Sequence, residues 1–300
     1  MTSEVLKFAH KYNKKYGEFV YSGENALEIA LSGLEVKDKK VLVANNICHR
    51  VVLAIIRCGG IPVIAKPSNS IILTIEDIEE IQKRHKDLYA FIAVHQYGIY
   101  ADIESVKNKF PKLKIIEDVA QSWNIRNIGK FSEYVISSFG KSKQLQLGIG
   151  GIVCSDTEEF KQYLDYDCKT SRHKENVLLP YILPDCVKVK FAKLSKIADR
   201  NIQKQFKSAK KLKKLVETRF SSLNMFNLED GVWNRFPIWS NNSEDMAKFE
   251  QFLKQKNIKF ERPHKIEMQD LEFVKGQKHY FENLTNNPIY LLLLKTRFYK

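Results

Sequence analysis

Cysteine chemistry of the common kinds is missing from this chain. Its five cysteines, Cys48, Cys58, Cys154, Cys168 and Cys186, form no CxxC pair and no Cys/His spacing suited to zinc, so no metal is expected. Reduced, mostly buried thiols are expected instead. No apolar run approaches the roughly 20 residues needed to cross a bilayer, so no membrane insertion is expected. The opening stretch MTSEVLKFAHKYNKKYGEF lacks an apolar signal core and a small-residue cleavage site, and the expectation is a cytoplasmic protein. Internal repeats and low-complexity tracts are also absent.

What is present is ordinary for a globular chain: 44% apolar and 28% charged residues over 300 positions, long enough for about two domains. The formal net charge of +14 is less ordinary, and it is concentrated. Between Lys188 and Arg219 stand twelve Lys/Arg residues against only Asp199 and Glu217. Such a run is first a solvated helix face. As a functional patch it suits a diphosphate-bearing small molecule better than nucleic acid, because the aromatic interleaving of a base-stacking platform is missing.

Residues 4–16 have a helical pattern, and SGENALEIALSGL passes from a loop into an amphipathic helix. Then KKVLVAN, IPVIAKP, LYAFIAVHQYG and KLKIIEDVAQS read as strands, separated by the helical stretches HRVVLAIIRCGG, IEDIEEIQKRH and ADIESVKNKF. These strands are continuous apolar runs, as expected for an α/β fold whose mainly parallel sheet is covered on both faces. Ligands in such sheets collect at the carboxyl ends of strands. His49, His95, Asp118, Gln121 and Ser138 all fall there. From about residue 156 the pattern changes to a long basic helix followed by a small α+β region, which predicts a large domain over 1–190 and a linking helix with a small domain over 191–300.

The stretch SSFGKSKQLQLGIGG at 137–151 puts Lys143 between a strand-like run and a glycine cluster. A lysine amine forms a Schiff base with a carbonyl cofactor when confined in a partly dry pocket, and glycines permit close backbone approach. Taken alone, the pattern is first that of an exposed loop lysine before a glycine turn. Asp118, just beyond a buried strand, suits a cationic ring nitrogen or else caps the next turn. Ser138, five residues before Lys143, suits a phosphate or a core hydrogen bond, and the helix start behind Ser22-Gly23 is either an anion site or an ordinary cap.

Taken in order, SGENAL, AIIRCGGIPV, AVHQYGIYADIESV, IIEDVAQSW and SFGKSKQLQLGIGG make residues 22–156 resemble the DegT/DnrJ/EryC1/StrS family of pyridoxal-phosphate-dependent sugar aminotransferases, which share the fold type I architecture of aspartate aminotransferase. The resemblance implies pyridoxal 5'-phosphate as cofactor, with Lys143 as the Schiff-base lysine, Asp118 on the ring nitrogen and Gln121 on the ring hydroxyl. It gives the phosphate to Ser138 and the backbone of Gly23, Glu24 and Asn25, and places Cys48 against one face of the ring. His49, His95, Arg262 and His264 are implied near the substrate.

This implies a homodimer that moves an amino group from an amino acid such as glutamate to a keto-sugar, nucleotide-linked, in surface-polysaccharide or amino-sugar biosynthesis. The chain resembles a shortened, divergent member. Cys48 stands where an aromatic ring is usual, Ile149 replaces an acid, and Ile182 replaces an asparagine that reaches the partner's phosphate. Two alternatives follow: a non-catalytic cofactor-binding scaffold or regulator, and a sugar dehydratase of the same fold. In dehydratases of this kind histidine replaces the lysine.

Overall fold

The computed structural model describes residues 3–123, 127–141, 143–164, 185–263, 268–285 and 290–295. Its first half runs α1 (Ser3–Lys11), β1 (Tyr16–Val20), α2 (Gly23–Gly33), β2 (Lys40–Ala44), α3 (His49–Arg57), β3 (Ile61–Lys66), α4 (Ile75–Arg84), β4 (Leu88–Val94), α5 (Ile103–Lys109), β5 (Lys114–Asp118), β6 (Tyr134–Ser138) and β7 (Gly151–Ser155). The remainder is α6 (Asp185–Arg219), β8 (Asn224–Met225), β9 (Phe236–Ser240), α7 (Ser243–Gln255), β10 (Phe260–Glu261), α8 (Glu272–Lys275), β11 (Tyr280–Asn283) and β12 (Tyr290–Leu294).

Eight strands form one sheet in the order β1-β7-β6-β5-β4-β2-β3-β11, parallel from β6 through to β11, with β7 antiparallel to both its neighbours. The continuous apolar strands are explained by the two covered faces. In β2, Val41 and Val43 pack with Ala30, Leu31 and Ile55, whereas Leu42 packs with Ile78 and Ile81 on the opposite face. Phe91 and Ala93 of β4 likewise face away from Ala90 and Ile92, the period of two that a pleated strand imposes. The expected mainly parallel α/β sheet is therefore what the chain builds. β1 and β7, which lack a clear pattern of their own, extend it on one side.

The chain runs outward from β2 to β3 and returns through β4, β5 and β6, so the strand order reverses between β2 and β4. A reversal of this kind leaves a crevice at the carboxyl ends of the strands. There the Gln96 side-chain amide donates to the Asn46 carbonyl at 2.7 Å, across the β2–β4 boundary.

A second, antiparallel sheet has the order β10-β12-β9-β8. Its apolar face packs with α6 and α7 through Ala209, Leu212, Val216, Phe249 and Leu253. α6 passes from one core to the next, since Ala198 and Ile202 pack with the large sheet's first helix and strand. The boundary expected near residue 190 thus falls within α6, and β11, from the C-terminal region, pairs parallel with β3 in the large sheet.

The buried face of α6 does not follow a single apolar stripe. Phe206 is 36% exposed and Gln205 is buried in its place, because α6 has to present Ile202 and Ala209 to two different cores. Lys193, Lys196, Lys204, Lys207, Lys210, Lys211 and Lys214 all lie on its exposed face. Among the described residues no helix is long and apolar enough to cross a membrane.

Candidate active-site cleft

At the carboxyl end of the large sheet a cleft of ≈ 190 Å³ is lined by Cys48, Gln96, Tyr97, Gln121, Lys143, Asn234, Arg235, Glu261, Pro263 and Leu293. Lys143 reaches it from a loop that is closed on itself. The amides of Leu147 and Gly148 donate to the Phe139 carbonyl at 2.9 and 3.0 Å, and the Phe139 amide donates to Gly150 at 2.8 Å. Gly148 and Gly150 have φ of +85° and +101°, the left-handed region where a side chain would be strained, so the glycine cluster shapes the loop. Gln144, the next residue, is buried and accepts from the Trp123 amide at 2.7 Å, which fixes the loop to the large sheet. Of the two nearby lysines, Lys143 is half-buried and lines the cleft, whereas Lys141 is exposed.

Asp118 ends β5 and is buried. Burial pushes its carboxyl above the ordinary value, and the nearby Lys143 charge, the Ala120 amide and His95 offset part of that rise. Its Oδ1 accepts the Ala120 amide at 2.9 Å, so it does make the turn-capping bond while lying within electrostatic reach of Lys143. Gln121 bridges two strand ends: its Oε1 accepts the Tyr97 amide at 3.2 Å and its Nε2 donates to Gln96 Oε1 at 3.1 Å.

The start of α2 lies beside the end of β6. A Cβ on Gly23 would stand 2.5 Å from Ser138 Cβ, so only glycine lets the helix start come this close to Ser138. Ser22 caps α2, its Oγ accepting the Asn25 amide at 3.1 Å. The Asn25 amide is thereby engaged within the cap. The amides of Gly23 and Glu24, in the first turn, have no helical acceptor and carry the positive end of the helix dipole. The Glu24 carboxylate turns away to Arg57 at 2.8 Å and Arg50 at 3.4 Å, leaving its backbone as the part that an anion can use.

The remaining expected residues are placed differently. Cys48 precedes α3, is exposed and lines the cleft. His49 is exposed, and its ring lies 6.1 Å from Phe273 rather than over the cleft, so it does not cover a ring face there. His95 is fully buried, which takes it out of reach of a substrate. Its Nδ1 accepts the Ala101 amide at 3.1 Å, which leaves the proton on Nε2, 3.0 Å from Glu117 Oε2. Its work is to pin the turn that carries Gln96 and Tyr97. Arg262 is exposed and paired with Glu250, while His264 and Ile182 lie outside the described residues.

Gln96, Tyr97, Arg235 and Glu261 were not singled out by sequence. Tyr97 stands at φ +59°, and its turn is bonded to the segment before β9, the Val232 amide donating to Gly98 at 2.9 Å and Tyr100 to Asp230 at 2.8 Å. Those bonds bring Asn234 and Arg235 to the cleft. A non-glycine residue held left-handed is a local sign of functional constraint, though only coordinates reveal it. No group of three His, Cys, Asp or Glu among the described residues could hold a metal ion.

Several known proteins are similar. GDP-perosamine synthase of Vibrio cholerae is 31% identical over 160 residues, which are 51% of this chain and 43% of that protein. The 3-oxo-glucose-6-phosphate:glutamate aminotransferase of Bacillus subtilis is 29% identical over 156 residues, 49% of this chain and 34% of that protein. The match thus spans less than half the length of these relatives. Among solved structures, S. venezuelae DesV in complex with a ketimine intermediate superposes with a TM-score of 0.76 at 19% identity, covering 98% of this chain and 84% of that one. NtdA from Bacillus subtilis with bound cofactor PMP gives 0.75 at 19% identity, covering 100% and 74%. These structures share the fold. The family model for the DegT/DnrJ/EryC1/StrS aminotransferases matches residues 6–288, and the chain belongs to that family.

Proposed function

We propose that the chain is a pyridoxal-phosphate-dependent aminotransferase that moves an amino group from an amino acid, glutamate first, to a keto-sugar, nucleotide-linked, and that it works in the cytoplasm as a homodimer. The observation that carries this is the convergence of Lys143 and Asp118 beside a helix start that only glycine lets approach Ser138. The donor set fits the cofactor. Gly23 and Glu24 amides with the Ser138 hydroxyl suit a phosphate, and a buried carboxylate at Asp118 suits a cationic ring nitrogen. Gln121 suits the ring hydroxyl. When bound, the cofactor supplies an electron sink. Lys143 then serves as covalent anchor and as the group that moves protons at the reacting carbon. Tyr97, Pro263 and Leu293 supply the apolar part of the cleft wall around that amine. Support for the substrates comes from the names of the two curated relatives, one a GDP-sugar enzyme and one a glutamate aminotransferase.

The test is spectroscopic. Protein loaded with pyridoxal phosphate is expected to lose its visible absorption band on addition of glutamate and to regain it on addition of a GDP-linked keto-sugar. No loss of the band with any amino donor would overturn the transferase and favour a cofactor-binding scaffold.

The phosphate cradle is tested separately. Gly23→Ala forces a methyl to 2.5 Å from Ser138 Cβ. The helix start must shift, and cofactor affinity is expected to fall by roughly tenfold or more, with stability lower by about 1–3 kcal/mol. Equilibrium dialysis and thermal unfolding measure the two effects. An unchanged dissociation constant would remove Gly23 from the phosphate site.

A further inference from the structure

Two side chains that line the cleft are not among those assigned above to the cofactor. Tyr97 is 4% exposed and its hydroxyl is buried; the Gln96 side-chain amide faces the phenol oxygen, and among the described residues no acceptor takes the hydroxyl proton. Burial raises the pKa of that hydroxyl above the ordinary tyrosine value, so it stays protonated and remains a donor. A buried donor lacking an acceptor is uncommon in a folded protein and marks a place where a ligand atom completes the bonding. Tyr97 is also held at φ +59° by Gln121, which accepts its amide. Backbone strain is thus tolerated at the residue whose hydroxyl proton lacks an acceptor.

Arg235 meets the same cleft from the start of β9. Its Nε donates to Glu261 Oε1 at 2.5 Å and its Nη1 to the Asn234 carbonyl at 3.3 Å. The other Glu261 oxygen is 3.1 Å from Lys295 Nζ. Burial would raise the Glu261 carboxyl, but Arg235 and Lys295 outweigh it and hold the group below its ordinary value, hence ionised. One carboxylate is therefore shared by two cations, which leaves a positive corner. The guanidinium plane is fixed through Nε and Nη1, and Nη2 makes no hydrogen bond to the described residues. A fixed guanidinium with a spare edge, beside a spare buried hydroxyl, matches the geometry of a carboxylate or phosphate oxygen pair.

We propose that Tyr97 and Arg235 form the specificity corner of the cleft, receiving an anionic group of the substrate, with Glu261 and Lys295 as positioning residues. This rests on the cleft being the substrate site of the proposed transferase. The class of ligand is an organic anion whose charged group lies within the same small cleft as the Lys143 amine. A neutral sugar has nothing to satisfy the corner.

The experiment uses protein saturated with pyridoxal phosphate, so that the cofactor's own phosphate site is filled. Succinate and glucose 6-phosphate are titrated in separate arms, with glucose as the neutral control, by isothermal calorimetry. The unmodified protein is expected to bind at least one anion and not glucose. Arg235→Leu is expected to weaken that binding roughly tenfold or more, and Tyr97→Phe, which removes one oxygen and keeps the ring, by about fivefold. Lys254→Ala, an exposed charge on α7 that pairs with Glu250, is expected to stay within about twofold, which separates local recognition from loss of net charge.

A loss confined to succinate assigns the corner to a carboxylate, and one confined to glucose 6-phosphate assigns it to a phosphate. Failure of both anions to bind, or equal binding by the protein and both cleft variants, overturns the proposal. The cofactor's visible band is recorded on the same samples. If that band never forms, the transferase reading fails, while anion binding by the purified chain still decides the corner.

Discussion

Lys143→Ala is expected to eliminate the visible absorption band of the cofactor-loaded protein and to lower turnover by about four orders of magnitude or more, since both the covalent anchor and a general acid/base are lost. The effect is expected to be large because among the described residues no second lysine lines the cleft. Lys141, two residues earlier, is exposed, and the closed loop from Phe139 to Gly150 holds Lys143 in the cleft. Lys141→Ala is therefore expected to leave band and turnover within about twofold, as for a solvated surface charge. Absorbance after dialysis against excess cofactor, together with a coupled turnover assay, measures both. A band that survives in the Lys143→Ala protein would sink the assignment.

The second large effect is expected at Asp118, where two measurements should move in opposite directions. In the folded chain burial raises the Asp118 carboxyl above 3.8, with Lys143, the Ala120 amide and His95 only partly offsetting it. A raised carboxyl favours the protonated form on folding. Its stabilising contribution is complete below pH 3.8 and is lost as pH rises from there through the folded value. At neutral pH an ionised Asp118 is thus a burden on the cofactor-free fold.

Asp118→Asn keeps an oxygen to accept the Ala120 amide and removes the charge. The cofactor-free variant is expected to melt no lower than the unmodified protein at pH 7 and to show a flatter dependence of melting temperature above pH 3.8. With cofactor, the same variant loses the buried ion pair to the ring nitrogen. Breaking such a pair costs about 3–5 kcal/mol, which is roughly a hundredfold or more in turnover. Thermal scans from acid to neutral pH check the first half and steady-state rates the second. Equal turnover in both proteins would show that Asp118 only caps its turn.

The polar residues at strand ends were legible because their neighbours carry strong local signals. Asp118 ends a buried strand built on Ile115 and Ile116, Gln121 follows three residues later, and Lys143 precedes glycines that need left-handed backbone. Position at a strand end does not say where a side chain points. His95 has the same sequence credentials as Asp118, yet its ring turns inward to Glu117 and the Ala101 amide. His49 opens α3 beside Cys48, but helical geometry turns it toward Phe273 and leaves Cys48 at the cleft. At Phe206 of α6 apolar character and burial part for a related reason, since a helix shared by two cores need not follow one apolar stripe.

By itself the sequence determined the alternation of helices and strands, the parallel sheet covered on both faces and the family, and it singled out Lys143, Asp118, Gln121, Ser138 and Gly23 as the candidate set. All of these rest on short-range pattern: two-residue and helical periodicity, glycine at left-handed or crowded positions, polar residues at strand ends. The tertiary structure alone decided that the second sheet closes over the cleft and that Arg235, Glu261 and Tyr97 meet there. Arg235 lies 92 residues beyond Lys143 in the chain. It arrives because the strained turn at Tyr97 exchanges backbone hydrogen bonds with residues 230–232. No local pattern encodes such a contact, because it depends on how two separately packed cores are joined.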